Sequence, residues 1–195
     1  QLKTLTQLGK RLNDLKLAEH IFQESISVLK DNPHDFPFAL LYRSDGNDAK
    51  LVTSTEPNTV FETKYPTLTL DSRDEIAILV SGALESNNLA LLDDLHAKVG
   101  DMPKGAWEIS PDKAIILPIA QRGHKKAYGF LIVGANPFRP LDEKYLGFFQ
   151  LVADQIATSL ANIEAIEAER KRLEAMAEID RAKTAFFSNI SHEFR

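Results

Sequence analysis

Cysteine is missing from all 195 residues of the chain. Its absence excludes a disulfide framework, a thiolate metal site, a thiol nucleophile and thioether attachment of a cofactor. A cysteine-free chain also suits a reducing compartment, so a cytoplasmic location is expected. Surplus positive charge is missing too: 23 Lys and Arg stand against 28 Asp and Glu, for a net charge of −5. Such a balance leaves no electrostatic footprint for nucleic acid or an anionic membrane surface. No uncharged apolar run approaches the roughly 20 residues that span a bilayer; the longest candidates are interrupted at Arg139 and Asp154. No signal peptide precedes the first helix. The chain begins at Gln1 and stops in mid-motif at Arg195, which reads as a piece of a longer protein, so the lack of a span applies to these residues alone.

What is present is enough for one globular domain and an appendage. Leu5, Leu8, Leu12, Leu15, Phe22, Ile26 and Leu29 make a single apolar stripe, which predicts one long amphipathic helix ending at Asn32-Pro33. FALLYR (38–43) and LVTS (51–54) read as a hairpin around Asp45-Gly46. Ser72-Arg-Asp-Glu75 has the spacing of a capping box and predicts a helix through about Glu85, broken at Asn87-Asn88. LALLDDL (89–95) reads as a third strand. KAIILPIAQ (113–121) and AYGFLIVG (127–134) form a second, apolar hairpin around RGHKK.

After Pro137 and Pro140 a helix is predicted from Asp142 and Glu143, whose charges complement its dipole. No proline or glycine follows Gly147, and an unbroken helix to the end of the chain would reach on the order of 80 Å. Phe149, Val152, Ile156, Ile163, Ile166 and Leu173 keep a heptad register, with Ser159 and Arg170 at the intervening seam positions. From Met176 through Ile179, Phe186 and Ile190 the apolar positions shift phase, as a stutter would produce. Glu167 with Lys171 and Arg170 with Glu174 have the spacing of solvated ion pairs. A narrow stripe on so long a helix calls for a partner, and a parallel homodimeric coiled coil is expected.

The order of elements, with FALLYRSDG, ILPIAQRGHKKAYGFLIVG and FRPLDEKYLGFFQLVADQIATSL, resembles a GAF domain, the antiparallel-sheet sensory module related to PAS domains. The resemblance implies an α+β fold, a GAF/PAS-like antiparallel sheet flanked by helices, with a long C-terminal coiled-coil signalling helix. The tail FFSNISHEFR (186–195) looks like the H-box of a sensor histidine kinase of a two-component system, a pattern that in that family continues into T-P-L. On this resemblance the chain divides into an N-terminal amphipathic helix (1–32), the GAF sheet and connecting helices (33–141), an exit helix (142–183) and the truncated start of a phosphoacceptor domain (184–195).

Carried over, His192 would be the phosphoacceptor and Glu193 the assisting acid or base. The chemistry is sound: a neutral imidazole nitrogen can take a γ-phosphoryl group, and a nearby carboxylate offsets the charge that develops. Neither a glycine-rich nucleotide lid nor an Asp-x-Gly-x-Gly segment occurs. The chain itself is therefore expected to lack turnover, while ATP and Mg are expected for a catalytic domain elsewhere in the parent kinase. The implied partners are a second copy, a response-regulator receiver domain and a small-molecule ligand of unknown identity. Two other readings stand beside this one: a GAF regulatory module of another effector, such as a nucleotide cyclase or transcription regulator, and a ligand-free dimeric spacer.

No cofactor is evident from the sequence. Phe138-Arg-Pro-Leu-Asp142-Glu143 matches half of the GAF cyclic-nucleotide signature, but its Asn-Lys partner is lacking, and a turn followed by an acidic first helical turn explains it. His20, His34, His96 and His124 are too scattered for a metal site. His96 reads as a solvated strand end, His124 as an exposed turn residue among Arg122, Lys125 and Lys126, and Trp107 as core or loop anchor.

Overall fold

The computed structural model describes residues 1–121 and 127–194. Six strands form one antiparallel sheet in the order β3-β2-β1-β6-β5-β4. They are β1 (Ala39–Asp45), β2 (Asp48–Ser54), β3 (Thr67–Thr69), β4 (Ala90–Leu92), β5 (Ala114–Ile119) and β6 (Gly129–Gly134). The helices are α1 (Leu2–Leu12), α2 (Ala18–Lys30), α3 (Val60–Lys64), α4 (Glu75–Ser86), α5 (Leu95–Lys98) and α6 (Glu143–Glu193). The chain falls into two compact units, Gln1–Leu160 and Ala161–Arg195.

Both expected hairpins are present. Gly46, at φ +64°, opens the two-residue turn between Asp45 and its partner Asp48, a conformation that a side chain would strain. A bulge at Leu41/Tyr42 shifts the β1–β2 register. Every residue of β5 and β6 is buried, so these strands read as continuous apolar runs, the pattern of strands covered on both faces. One face carries Leu40, Tyr42, Ile116, Phe130 and Ile132 against Phe61 of α3 and Ile76, Ala77 and Val80 of α4. Across the sheet α2 lies against β1 and β2, and α1 against α2. Burial of Phe148, Phe149, Val152, Ile156 and Leu160 fastens the first part of α6 to this unit, each large side chain contributing about 1.5–3 kcal/mol.

The structure corrects three sequence expectations. The N-terminal stripe belongs to two helices, with the break between Leu12 and Ala18. The stripe had a gap between Leu15 and Phe22, and folding back lets both Leu8 and Leu12 and then Ile21 and Phe22 be buried. Ser72 does not cap α4: Asp74 does, its Oδ1 accepting from the Ile76 and Ala77 amides at 2.9 and 3.3 Å. A carboxylate nearer the first turn is the stronger acceptor at a helix N-terminus. The reciprocal box instead occurs at α3, where Glu62 N donates to Thr59 Oγ1 and Thr59 N donates to Glu62 Oε2, both at 3.1 Å. LALLDDL supplies only a three-residue strand, β4, before Leu95 enters α5. The break at Asn87 is as expected: that residue takes the left-handed conformation and its N–H returns to the helix. The RGHKK turn, with His124, lies outside the described residues.

In the second unit the helix is solvated along nearly its whole length. Arg170 donates to Glu167 at 2.7 Å and to Glu174 at 2.6 Å, Lys171 lies 3.8 Å from Glu167, and Arg172 pairs with Glu169 at 3.1 Å. The Arg170 hydrogen bond, and then the positive charge beside it, holds the Glu167 carboxyl below its ordinary value.

A Cβ at Gly129 would stand 1.9 Å from the Tyr42 carbonyl oxygen, a backbone atom that cannot give way. Gly129→Ala should therefore cost about 2 kcal/mol or more in chemical denaturation. A Cβ at Gly147 meets open space inside a helix, so Gly147→Ala should stabilise by about 1 kcal/mol. Because the Glu167 value is lowered in the folded helix, its contribution is present above the ordinary carboxyl value and lost as pH falls through the lowered one. The 13Cα shifts around Arg170 should report less helix in acid than at neutral pH, and Glu167→Gln should flatten that dependence.

Candidate functional site

On the sheet face covered by α3 and α4, Tyr42 and Phe130 are cross-strand partners whose rings stack at 4.8 Å and 7°. The Tyr42 hydroxyl donates to the Tyr65 carbonyl at 2.7 Å, and the Tyr65 hydroxyl donates to Asp74 Oδ2 at 3.2 Å. Asp74 is the cap of α4, so one hydrogen-bonded line runs from the middle of the sheet to a helix N-terminus. Burial, with the Glu62 charge adding to it, pushes the Tyr42 hydroxyl well above its ordinary range. Burial and the neighbouring Asp74 carboxylate push Tyr65 to about 12. Each hydroxyl donates to a fixed acceptor, which suits both phenols to holding geometry. Phe61 packs on Tyr65 at 5.0 Å, so aromatic side chains of the chain itself fill this part of the interior.

Trp107 anchors a loop. Its Nε1 donates to the His34 carbonyl at 3.1 Å, and its ring meets His34 edge-on at 5.4 Å and Phe138 at 5.5 Å. In the partial nucleotide signature, Asp142 Oδ1 accepts from the Tyr145 amide at 2.8 Å as the cap of α6, Glu143 is the first residue of that helix, and Phe138 is exposed. These positions serve a turn and a helix start. His96 sits in α5 and not at a strand end, with Nδ1 2.9 Å from Asp101 Oδ1 and both side chains solvated. His20 is exposed on α2. Among the described residues no three His, Cys, Asp or Glu side chains are grouped to hold a metal ion.

Sequence reading had not picked out a network at the root of α6. The buried Tyr145 hydroxyl donates to the Asp35 carbonyl at 3.0 Å and accepts from the Asn136 amide at 3.2 Å. The Arg139 guanidinium lies 4.2 Å from the Tyr145 ring centroid and 3.5 Å from Asp35 Oδ1. Asn32 Nδ2 donates both to Asp35 Oδ2 and to Thr4 Oγ1 at 3.0 Å, which brings α1 into the same network. The signal was faint: a tyrosine in a helical apolar pattern is read as core, and nothing in its spacing shows where the hydroxyl goes.

His192 and Glu193 occupy the last turn of α6, both exposed, and Glu193 is its final residue. Neighbours in sequence do not face one another on a helix, and among the described residues no hydrogen bond joins the two. Ile166, Leu173, Met176 and Ile179 are more than half exposed, as are Phe186 and Phe187, whose rings meet at 5.7 Å. The expected seam thus divides: Phe149, Val152 and Ile156 are buried in the first unit, and the apolar positions from Ile166 to Ile179 are solvated. No helix among the described residues is long and apolar enough to cross a membrane.

No family model matches the sequence, and no curated protein matches it. Solved structures do. Residues 122 to 287 of a methyl-accepting chemotaxis protein superpose with a TM-score of 0.62 at 16% identity, covering 83% of this chain and 99% of that one. The GAF domain of a phosphoenolpyruvate-protein phosphotransferase from Coxiella burnetii gives 0.60 at 18% identity, over 86% and 96%. The GAF domain/HD domain protein from Geobacter sulfurreducens gives 0.58 at 14%, over 79% and 98%. These proteins differ in what accompanies the shared fold. The chain has the fold of a GAF domain, a curled antiparallel sheet between helices, with a long C-terminal helix.

Proposed function

We propose that this chain is the cytoplasmic signal-input and dimerisation region of a two-component sensor histidine kinase, coupling a GAF domain to phosphorylation of His192. The observation that carries the reading is the motif FFSNISHEFR, of which residues 186–193 form the last turns of α6, a helix whose first turns are fixed in the GAF core. Phosphoryl transfer depends mainly on positioning and electrostatics, and an exposed imidazole on a helix is open to an incoming nucleotide-binding domain. Glu193, one residue on, would supply negative charge near the ring and act as the assisting acid or base. ATP and Mg belong to the parent's catalytic domain, and a response-regulator receiver domain is the onward acceptor.

Dimerisation through α6 is supported by the solvated apolar positions from Ile166 to Ile179, which a second copy would cover. A spacer role for the GAF domain keeps one observation in its favour, the filling of the sheet face by Tyr42, Phe61, Tyr65 and Phe130.

In the parent protein, labelled ATP should place acid-labile phosphate on His192, and His192→Gln should remove it. Labelling that survives this change would defeat the assignment, as would a sequence after Arg195 unrelated to T-P-L. Single cysteines at Ile166 or Leu173, in a chain with none of its own, should cross-link two copies under mild oxidation. Purely monomeric product from both would remove the coiled coil from the scheme.

A further inference from the structure

A cavity of about 350 Å³ opens between the 109–113 loop and the 135–141 connection that leads into α6. It is away from the aromatic-filled sheet face and its size falls in the range of small-molecule sites. Lys113 and Arg139 bring two positive charges to its lining, against one carboxylate, Asp112. That carboxylate is already engaged, accepting from the His96 amide at 3.2 Å. Ile109 and Leu141 supply apolar wall.

Each cation has a carboxylate partner outside the cavity lining that an incoming anion could replace. Lys113 pairs with Asp93 at 3.0 Å, with more than half of each side chain exposed, and such pairs exchange partners at little cost. Arg139 approaches Asp35 only to 3.5 Å, longer than a direct N–H···O bond, and a guanidinium has five N–H donors where a single oxygen at that distance satisfies few. Planar forks of this kind suit carboxylate and phosphate. We propose that this cavity binds a small organic anion, with Arg139 and Lys113 holding a carboxylate or phosphate head and Ile109 and Leu141 lying along its carbon body. Arg139 also stacks on Tyr145, so an occupant competes with the Asp35 and Tyr145 contacts at the start of α6 and would report ligand to that helix. The assignment is independent of the role given to His192.

The test uses the full chain, with hexanoate and phenyl phosphate as the two head groups and sodium chloride at matched ionic strength as control. Backbone amide shifts at 109–113 and 135–141 should saturate with at least one probe and be absent with the chloride. Trp107, the only tryptophan and in ring contact with Phe138, should give a matching saturable change in emission. Arg139→Gln and Lys113→Gln should each weaken binding tenfold or more, and Arg139→Lys should lose less. The proposal is overturned if neither probe saturates, if chloride reproduces the shifts, or if both glutamine variants bind as before. Should Arg139→Gln disturb the amide spectrum far from the cavity, the solvated Lys113→Gln alone decides.

Discussion

The start of α6 depends on where the Tyr145 hydroxyl goes. Its ring is fully buried, so its polar atom must be satisfied inside the protein, and the partners it takes belong to two other stretches of chain, Asp35 and Asn136. Those two bonds fix the connection from β6 and the connection from α2 against the same helical turn. Arg139 covers the ring, and Asn32 extends the network to α1 through Asp35 and Thr4. Removing the hydroxyl would leave a half-buried carbonyl and a half-buried amide to find new partners, a larger disturbance than the loss of one atom implies.

A second line of contacts organises the opposite side of the sheet on the same principle. Tyr42 stacks within the sheet and spends its hydroxyl on the Tyr65 carbonyl, while Tyr65 spends its own on the residue that caps α4. In both places a tyrosine supplies apolar area with one end and a directed bond with the other. Strand β6 approaches β1 so closely at Gly129 that no side chain fits, which sets the depth at which Phe130 and Tyr42 can meet.

Much of the fold was legible because it is written in periods and turns. The short apolar runs within 38–54 and 113–134, the glycine after Asp45 and the acidic start at Asp142 identify the hairpins and the exit helix. The short elements were not legible. Thr67–Thr69 has only three residues and one buried side chain, too little for a pattern to register. Thr59–Glu62 and Ser72–Glu75 share the Ser/Thr-x-x-Glu spacing, and spacing alone does not tell which is closed by reciprocal bonds; an aspartate between Ser72 and Glu75 decides it. The N-terminal stripe failed differently, since helical phase survives a break when both pieces bury one face. As for function, the resemblance proposed for the tail at His192 lies in one contiguous stretch of sequence, whereas the cavity at Lys113 and Arg139 arises from residues 26 positions apart that only the β6–α6 connection brings together.

The two edges of the sheet bear on how copies of this chain can meet. Both β3 and β4 are three residues long, so the outer rows of unpaired backbone groups are short and give an incoming strand almost no ladder to extend. Natural sheets blunt their edges in this way against fusing with their neighbours. Strand addition is therefore a poor route to assembly for this fold, and the pairing of copies proposed through α6 would rest on side-chain packing between helices, a contact that can be loosened or turned without unzipping a sheet.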